Sequence, residues 1–430
     1  MTLLETFALL LGLTAVFGWI NARYLMLPRA SALVFTGLVV SLLLVGADYV
    51  FPRDDIHRAI VEAILRVDFS EVVMKGVLAF VLFAGALEID LGALEERAVP
   101  IAILAFAGTA LSTVVIGGAF WAASTVVGTP ISLAWALVLG ALVSPTDPIA
   151  VLSVLRGLAI PKRLEIELQG EALLNDGVGI VLFTFLLGIA TASGGESNLS
   201  NVLLLGAREV GGGVLLGLAA GYAAYRAMHA IDDFAIEVLI TLALVTGAYA
   251  LALAIEVSGP LAVVSAGLLM GGRGKRDAMS QRTEHYVSAL WTLIDEILNS
   301  LLFFLIGLEV LVARLGETSV MQALIAIPVA LLGRFLAVSA PLLIPGVARS
   351  LSAHNVPFLT WAGIRGGISV ALALSLPDSE AKPIILAATY AIVLFAILVQ
   401  ASTLRTLARL TLPSVAAAKP PASQSSVFRD

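Results

Sequence analysis

Apolar runs long enough to cross a bilayer recur along the whole chain, and no other feature restricts its folding as much. A helix needs about 20 residues to span the hydrocarbon core. Such runs are expected at 4–22, 30–47, 71–90, 98–123, 131–155, 165–190, 203–225, 234–255, 259–271, 286–312, 319–345, 355–377 and 383–408, with 259–271 short for a full crossing. The pattern predicts an all-α polytopic membrane protein of about thirteen transmembrane helices. Composition agrees: 59% of residues are hydrophobic and 13% charged, where a soluble domain carries about 25% charge. The first run has no basic lead and no small-residue cleavage site, so it is expected to be a span rather than a signal peptide.

Several function classes fall away on the same grounds. A net charge of −6 with no concentrated basic footprint argues against nucleic-acid binding. The chain holds no cysteine, which removes disulfides, thiol nucleophiles and iron–sulfur clusters. His57, His229, His285 and His354 are scattered without metal-ligand spacing. No phosphate-binding G-x-x-x-x-G-K-[ST] occurs and no connection exceeds roughly 25 residues, so no nucleotide or other cofactor is expected. Any transport would then run on an ion gradient. The Gly271-Gly272-Arg273-Gly274 stretch reads as a turn, and residues 413–430 as a disordered cytoplasmic tail. With the N-terminus outside, sixteen Lys and Arg fall in cytoplasmic connections and five in external ones. The positive-inside rule therefore predicts N-terminus out and C-terminus in. Four cations remain in or at the edges of spans: Lys75, Arg208, Arg334 and Arg365.

A charge at mid-membrane costs at least about 2.5–3.5 kcal/mol, so each one is a candidate functional residue. Ser144-Pro145-Thr146-Asp147-Pro148 interrupts the fifth run. Both prolines lack an N–H, which frees the carbonyls of Ala141 and Ser144. Unwound backbone at membrane depth persists only where it is buried in protein or lines a cavity. A carboxylate, a hydroxyl and free carbonyls there form an oxygen-rich site suited to a small hard cation. In the sixth run, Glu171 and Asn175 lie one turn apart, and Asp176 points about 100° away from Asn175. Asp147 and Asp176 are expected at similar depth, where two carboxylates repel unless a proton or a cation sits between them. The balancing cations are Arg334 and Arg365, the latter in a glycine-rich interruption of the twelfth run, Gly363-Ile364-Arg365-Gly366-Gly367. Interrupted helices at corresponding places in two halves indicate an inverted-repeat transporter with its site at the crossing.

These residues resemble the sodium/proton antiporters of the cation/proton antiporter-1 group, the NhaP and NHE type. The likeness is carried by Thr146-Asp147-Pro148, Gly170 to Asp176, Gly363 to Gly367 and the run from Leu298-Asn299-Ser300 to Gly307-Leu308-Glu309. It extends from about residue 5 to 410. It implies an inverted-repeat antiporter fold with two broken crossing helices and elevator-like movement. A core bundle would cover about 98–190 and 319–408, and dimerisation or scaffold helices about 4–90 and 203–312. By the resemblance Asp176 is the principal carboxylate for cation and proton. Asp147, Thr146 and Asn175 complete the ion site, for Na+ or else Li+ or K+. Asn175, where electrogenic relatives carry a second Asp, implies electroneutral exchange. Glu171, Arg334 and Arg365 would form the structural ion-pair set. A homodimer in lipid, in a prokaryotic plasma (inner) membrane, is expected. Ala172 stands where the family usually has Ser, and Ala84 where an acid is often found, which leaves the cation preference open.

Other features read more plainly. Gly213, Gly217 and Gly221 form a small-residue face for helix packing, with a dimer surface as the second reading. Asp295 and Glu296 read as funnel-lining or as a solvated boundary. Glu88 and Asp90 read as a boundary, and Arg208 with Glu209 as a pair near an interface. Two other classes compete with transport. An intramembrane aspartyl protease would need Tyr-Asp and Gly-x-Gly-Asp, which are absent. A transporter-like sensor would need a signalling module, and the tail offers none.

Overall fold

A computed structural model describes residues 3–50, 77–88, 98–155, 158, 160–191, 199–309, 317–343 and 355–412. Lys75, Asp90 and the expected tail 413–430 lie outside the described residues. All regular structure among them is helical. The helices are α1 (Leu3–Ile20), α2 (Arg29–Val50), α3 (Leu78–Glu88), α4 (Thr109–Val126), α5 (Leu133–Val143), α6 (Pro148–Leu155), α7 (Lys162–Thr191) and α8 (Leu199–His229). There follow α9 (Phe234–Ala254), α10 (Gly259–Leu269), α11 (Gln281–Glu309), α12 (Glu317–Ser339), α13 (Val356–Trp361), α14 (Gly367–Leu374), α15 (Lys382–Phe395) and α16 (Ala401–Thr411). Among the described residues, seven helices are long and apolar enough to cross a membrane, and three shorter apolar ones accompany them. Parts of the expected third, tenth and eleventh spans lie outside the described residues, so this number is no count of the thirteen expected crossings.

The fifth and twelfth runs are each split in two, α5 with α6 and α13 with α14. Around these short pairs α4 packs on α5 and α12, α12 on α15, and α7 on α5. A second group sets α2 against α11, α3 against α10, and α8 and α9 against α10. Local chemistry places the helix starts. Ser132 caps α5 through Trp135 N–H at 3.4 Å, and Asp233 caps α9 through Ala235 and Ile236 at 3.0 and 3.3 Å. Each satisfies a donor that the first helical turn leaves open.

Small residues decide where helices touch. A methyl added at Gly213 would sit 2.6 Å from the Ser258 carbonyl, and one at Gly221 would sit 3.1 Å from Ala266 Cα. The stripe of Gly213, Gly217 and Gly221 therefore seats α8 on α10 within the chain. The stretch from Gly271 is not a turn. It continues α10 as a wide π-helical segment, Met270–Ala278. A methyl at Gly271 would stand 2.7 Å from the Leu87 carbonyl, so glycine there lets the extended α10 lie against the end of α3.

Candidate functional site

The site is built where the two interrupted helices cross. Asp147 N–H donates to the Ile364 carbonyl at 2.7 Å, tying one unwound segment to the other. Pro148 opens α6, a position where its missing N–H costs nothing. Asp147 caps that helix: its Oδ1 accepts the Ala150 N–H at 3.2 Å. The start of α14 approaches the same carboxylate, since a methyl on Gly366 would lie 2.5 Å from Asp147 Oδ2 and 2.9 Å from its Cβ. Two helix N-termini, each with partial positive charge, thus flank one acid. Asp147 remains partly exposed.

At the other end of the break carbonyls are left without intrahelical partners. Arg365, 2% exposed, donates through Nη1 to the carbonyls of Ser144 and Pro145, the latter at 2.7 Å. The Ser144 carbonyl freed by Pro148 thereby finds a cationic partner at the negative end of α5. Arg365 was expected to stabilise the crossing within the structural ion-pair set, and among the described residues its hydrogen bonds go to main-chain oxygens. Thr113 on α4 donates to Ser144 Oγ at 3.2 Å, and Ser144 Oγ to the Gly140 carbonyl at 2.6 Å. On α7, a methyl at Gly179 would fall on the ring of Pro145, so this glycine admits the kink.

Glu171 and Arg334 form a forked pair. Arg334 Nη1 donates to Glu171 Oε1, Nη2 to Oε2 at 3.1 Å, and Nε to the Leu359 carbonyl at 3.3 Å. The two residues are only 2% and 5% exposed. Gly363 fits against the stem of this arginine, with a methyl there meeting Arg334 Cγ at 2.8 Å.

Asn175 was expected among the ion ligands. Its amide is instead engaged at both ends by Thr146: Nδ2 donates to Thr146 Oγ1 at 2.9 Å, and Oδ1 accepts Thr146 N–H at 3.3 Å. It holds the unwound segment against α7. The next residue, Asp176, is 9% exposed, and its carboxylate has no hydrogen-bond partner among the described residues. Asp147 and Arg365 lie within electrostatic reach of it. Two carboxylates and a fixed guanidinium around one polar break can hold a single small cation or a proton. The described residues contain no group of three His, Cys, Asp or Glu arranged for a metal ion. Sequence reasoning missed Thr113, Gly179 and the contact of Gly366 with Asp147. The glycines after Arg365 signalled an interruption, but which one faces the acid depends on how the two segments cross.

The boundary acids also take defined partners. Glu88 accepts the Thr292 hydroxyl at 2.6 Å, Glu296 pairs with Arg29 at 3.0 Å, and Asp295 accepts from Asn299 at 2.9 Å. Asp295 is within electrostatic reach of Glu88 and Asp147. Arg208 and Glu209 do not pair.

The chain is similar to known proteins along nearly its whole length. Residues 12–410 match the family described as sodium/hydrogen exchanger, transmembrane. The Na(+)/H(+) antiporter NhaP of Pseudomonas aeruginosa is 40% identical over 412 residues, covering 95% of this chain and 96% of that protein. NhaH of Halobacillus dabanensis is 32% identical over 390 residues, covering 90% and 92%. The structure of the sodium proton antiporter MjNhaP1 from Methanocaldococcus jannaschii has the same fold, with TM-score 0.72 and 21% identity over 96% of this chain and all of that one. The chain belongs to the transmembrane sodium/hydrogen exchanger family.

Proposed function

We propose that this protein is a secondary transporter, not an enzyme, exchanging Na+ for H+ across the membrane, with Li+ or K+ as alternative cations. The observation that carries the reading is Asp176, buried beside Asp147 at the helix crossing and without a hydrogen-bond partner among the described residues. An unpartnered carboxylate at membrane depth is costly unless a cation or proton completes it. Asp176 and Asp147 serve as the competing proton and cation site, with Thr146 supplying an oxygen and Asn175 holding Thr146 in place. Asn175 cannot carry a second proton, which supports electroneutral exchange. The Glu171–Arg334 pair and Arg365 brace the site. The names of the two relatives, both Na(+)/H(+) antiporters, support the substrates.

Movement follows an elevator scheme. The bundle of about 98–190 and 319–408 carries the site past scaffold helices of about 4–90 and 203–312. The scaffold also forms a homodimer in lipid, and the chain lies in a prokaryotic inner membrane with the N-terminus outside. No cofactor takes part.

The test is exchange in proteoliposomes, read as cation-induced dissipation of a pH gradient. Wild-type protein should dissipate it on adding Na+, and Asp176→Asn should reduce the rate to that of empty liposomes. Full exchange by Asp176→Asn would overturn the assignment. Because proton and cation compete, the apparent KM for the cation should rise as pH falls.

A further inference from the structure

Asp176 lies midway along α7, and the half of that helix beyond it, from Ile180 to Thr191, lines a cavity of about 410 Å³. The opposite wall comes from α8 through Gly206, Glu209 and Val210, and from Ser258 at the start of α10. At 3.6 residues per turn, Ile180, Thr184, Leu187 and Thr191 all fall within about 80° of the azimuth of Asp176. Val181, Phe185 and Gly188, which also line it, lie about 120–180° round the helix, so the cavity borders the Asp176 stripe along one edge. At 1.5 Å per residue, Thr184 stands about 12 Å and Thr191 about 22 Å further along the axis. Ile180, one turn from the acid, is buried and lines the near end of the cavity.

The polar side chains on this wall are three hydroxyls and one carboxylate. Thr191 Oγ1 already donates to the Leu187 and Gly188 carbonyls, at 2.9 and 3.3 Å, which leaves only lone pairs for a visitor. Ser258 Oγ is fixed as a cap, accepting Leu261 N–H at 3.4 Å. Glu209 is half-buried, and its carboxylate has no hydrogen-bond or ion-pair partner among the described residues. Its main chain is held firmly, because Ser258 N–H donates to the Glu209 carbonyl at 3.1 Å. Arg208 faces outward and is exposed. A cleft whose lining carries a single ionisable group, a carboxylate, with apolar walls that weaken screening, concentrates cations.

We infer that this cavity is the vestibule by which cations reach Asp176 from the Thr191 side of the membrane, and that Glu209 is its cation-attracting, positioning carboxylate. The inference rests on the exchange proposed above. In the proposed orientation the Thr191 side is external.

The chain contains no cysteine, so Thr184→Cys gives a single reporter thiol without further engineering. In sealed right-side-out vesicles, a membrane-impermeant cationic methanethiosulfonate should label it faster than an anionic one. Adding Glu209→Gln should cut that rate ratio by about fivefold or more, while Glu209→Asp should keep it. In exchange assays, Glu209→Gln should raise the apparent KM for Na+ supplied from the Thr191 side by about three- to tenfold. The KM from the other side and kcat should stay unchanged. An unchanged labelling ratio, or a KM that moves equally from both sides, would overturn the inference. The labelling is read without transport. If wild-type protein exchanges no cation the function fails, while the ratio still decides whether Glu209 draws cations into the cavity.

Discussion

At the scale of single residues, acids placed close to the same helix break do different work. Asp147 is both helix cap and proposed ligand, and Asn substitutes well for Asp at a cap. Asp147→Asn should therefore change stability by less than about 1 kcal/mol while abolishing exchange, as measured by thermal unfolding in detergent and by the liposome assay. Glu171 should behave oppositely. Removing one partner of a buried ion pair costs about 3–5 kcal/mol, so Glu171→Gln should lower the unfolding midpoint strongly and move the cation KM little. Unchanged stability with a large KM shift would put Glu171 into the ion site.

At the scale of elements, the interruptions were legible because they are local. Pro145 and Pro148 remove two N–H groups, and Gly363, Gly366 and Gly367 weaken a helix, whatever surrounds them. The spacing of Gly213, Gly217 and Gly221 likewise announced a close contact. The partners were not legible. That Arg365 donates to carbonyls rather than to an acid, and that Asn175 is turned towards Thr146, follow from how α5, α7 and the break before α14 meet. The extension of α10 through Gly271 was hidden for the same reason: glycine signals a turn locally but here admits the carbonyl of Leu87. A side chain at Gly217 would collide with the Ala262 carbonyl. Gly217→Leu should therefore separate α8 from α10 and destabilise the protein by more than about 2 kcal/mol, as overpacking of a tight contact does. A midpoint close to wild type would show that the crossing can relax.

At the scale of the whole molecule, the elevator scheme requires contacts between the two groups of helices to break on each cycle. One such contact is printed on the fold: Ser31 on α2 donates to the Ile397 carbonyl at 2.7 Å, in the π-helical segment Ala396–Gln400 between α15 and α16. A short thiol cross-link between Ser31→Cys and Ile397→Cys should stop exchange. A control link within the proposed core, Gln322→Cys to Thr129→Cys, where the amide now donates to Thr129 Oγ1 at 2.7 Å, should leave exchange largely intact. Exchange surviving the first link would favour local gating over movement of a body.

The grip of Arg365 on two main-chain carbonyls has an electrical consequence. Anchored to backbone, this positive charge stays in place whichever ion is loaded. Two carboxylates and one guanidinium leave the empty crossing with one unbalanced negative charge, and a single H+ or Na+ cancels it. Loaded with either ion, the moving body would be neutral and indifferent to membrane voltage. Empty, it would have to drag a naked charge through hydrocarbon. On the proposed exchange, the fold itself would discourage an idle return stroke, and coupling would need no separate gate.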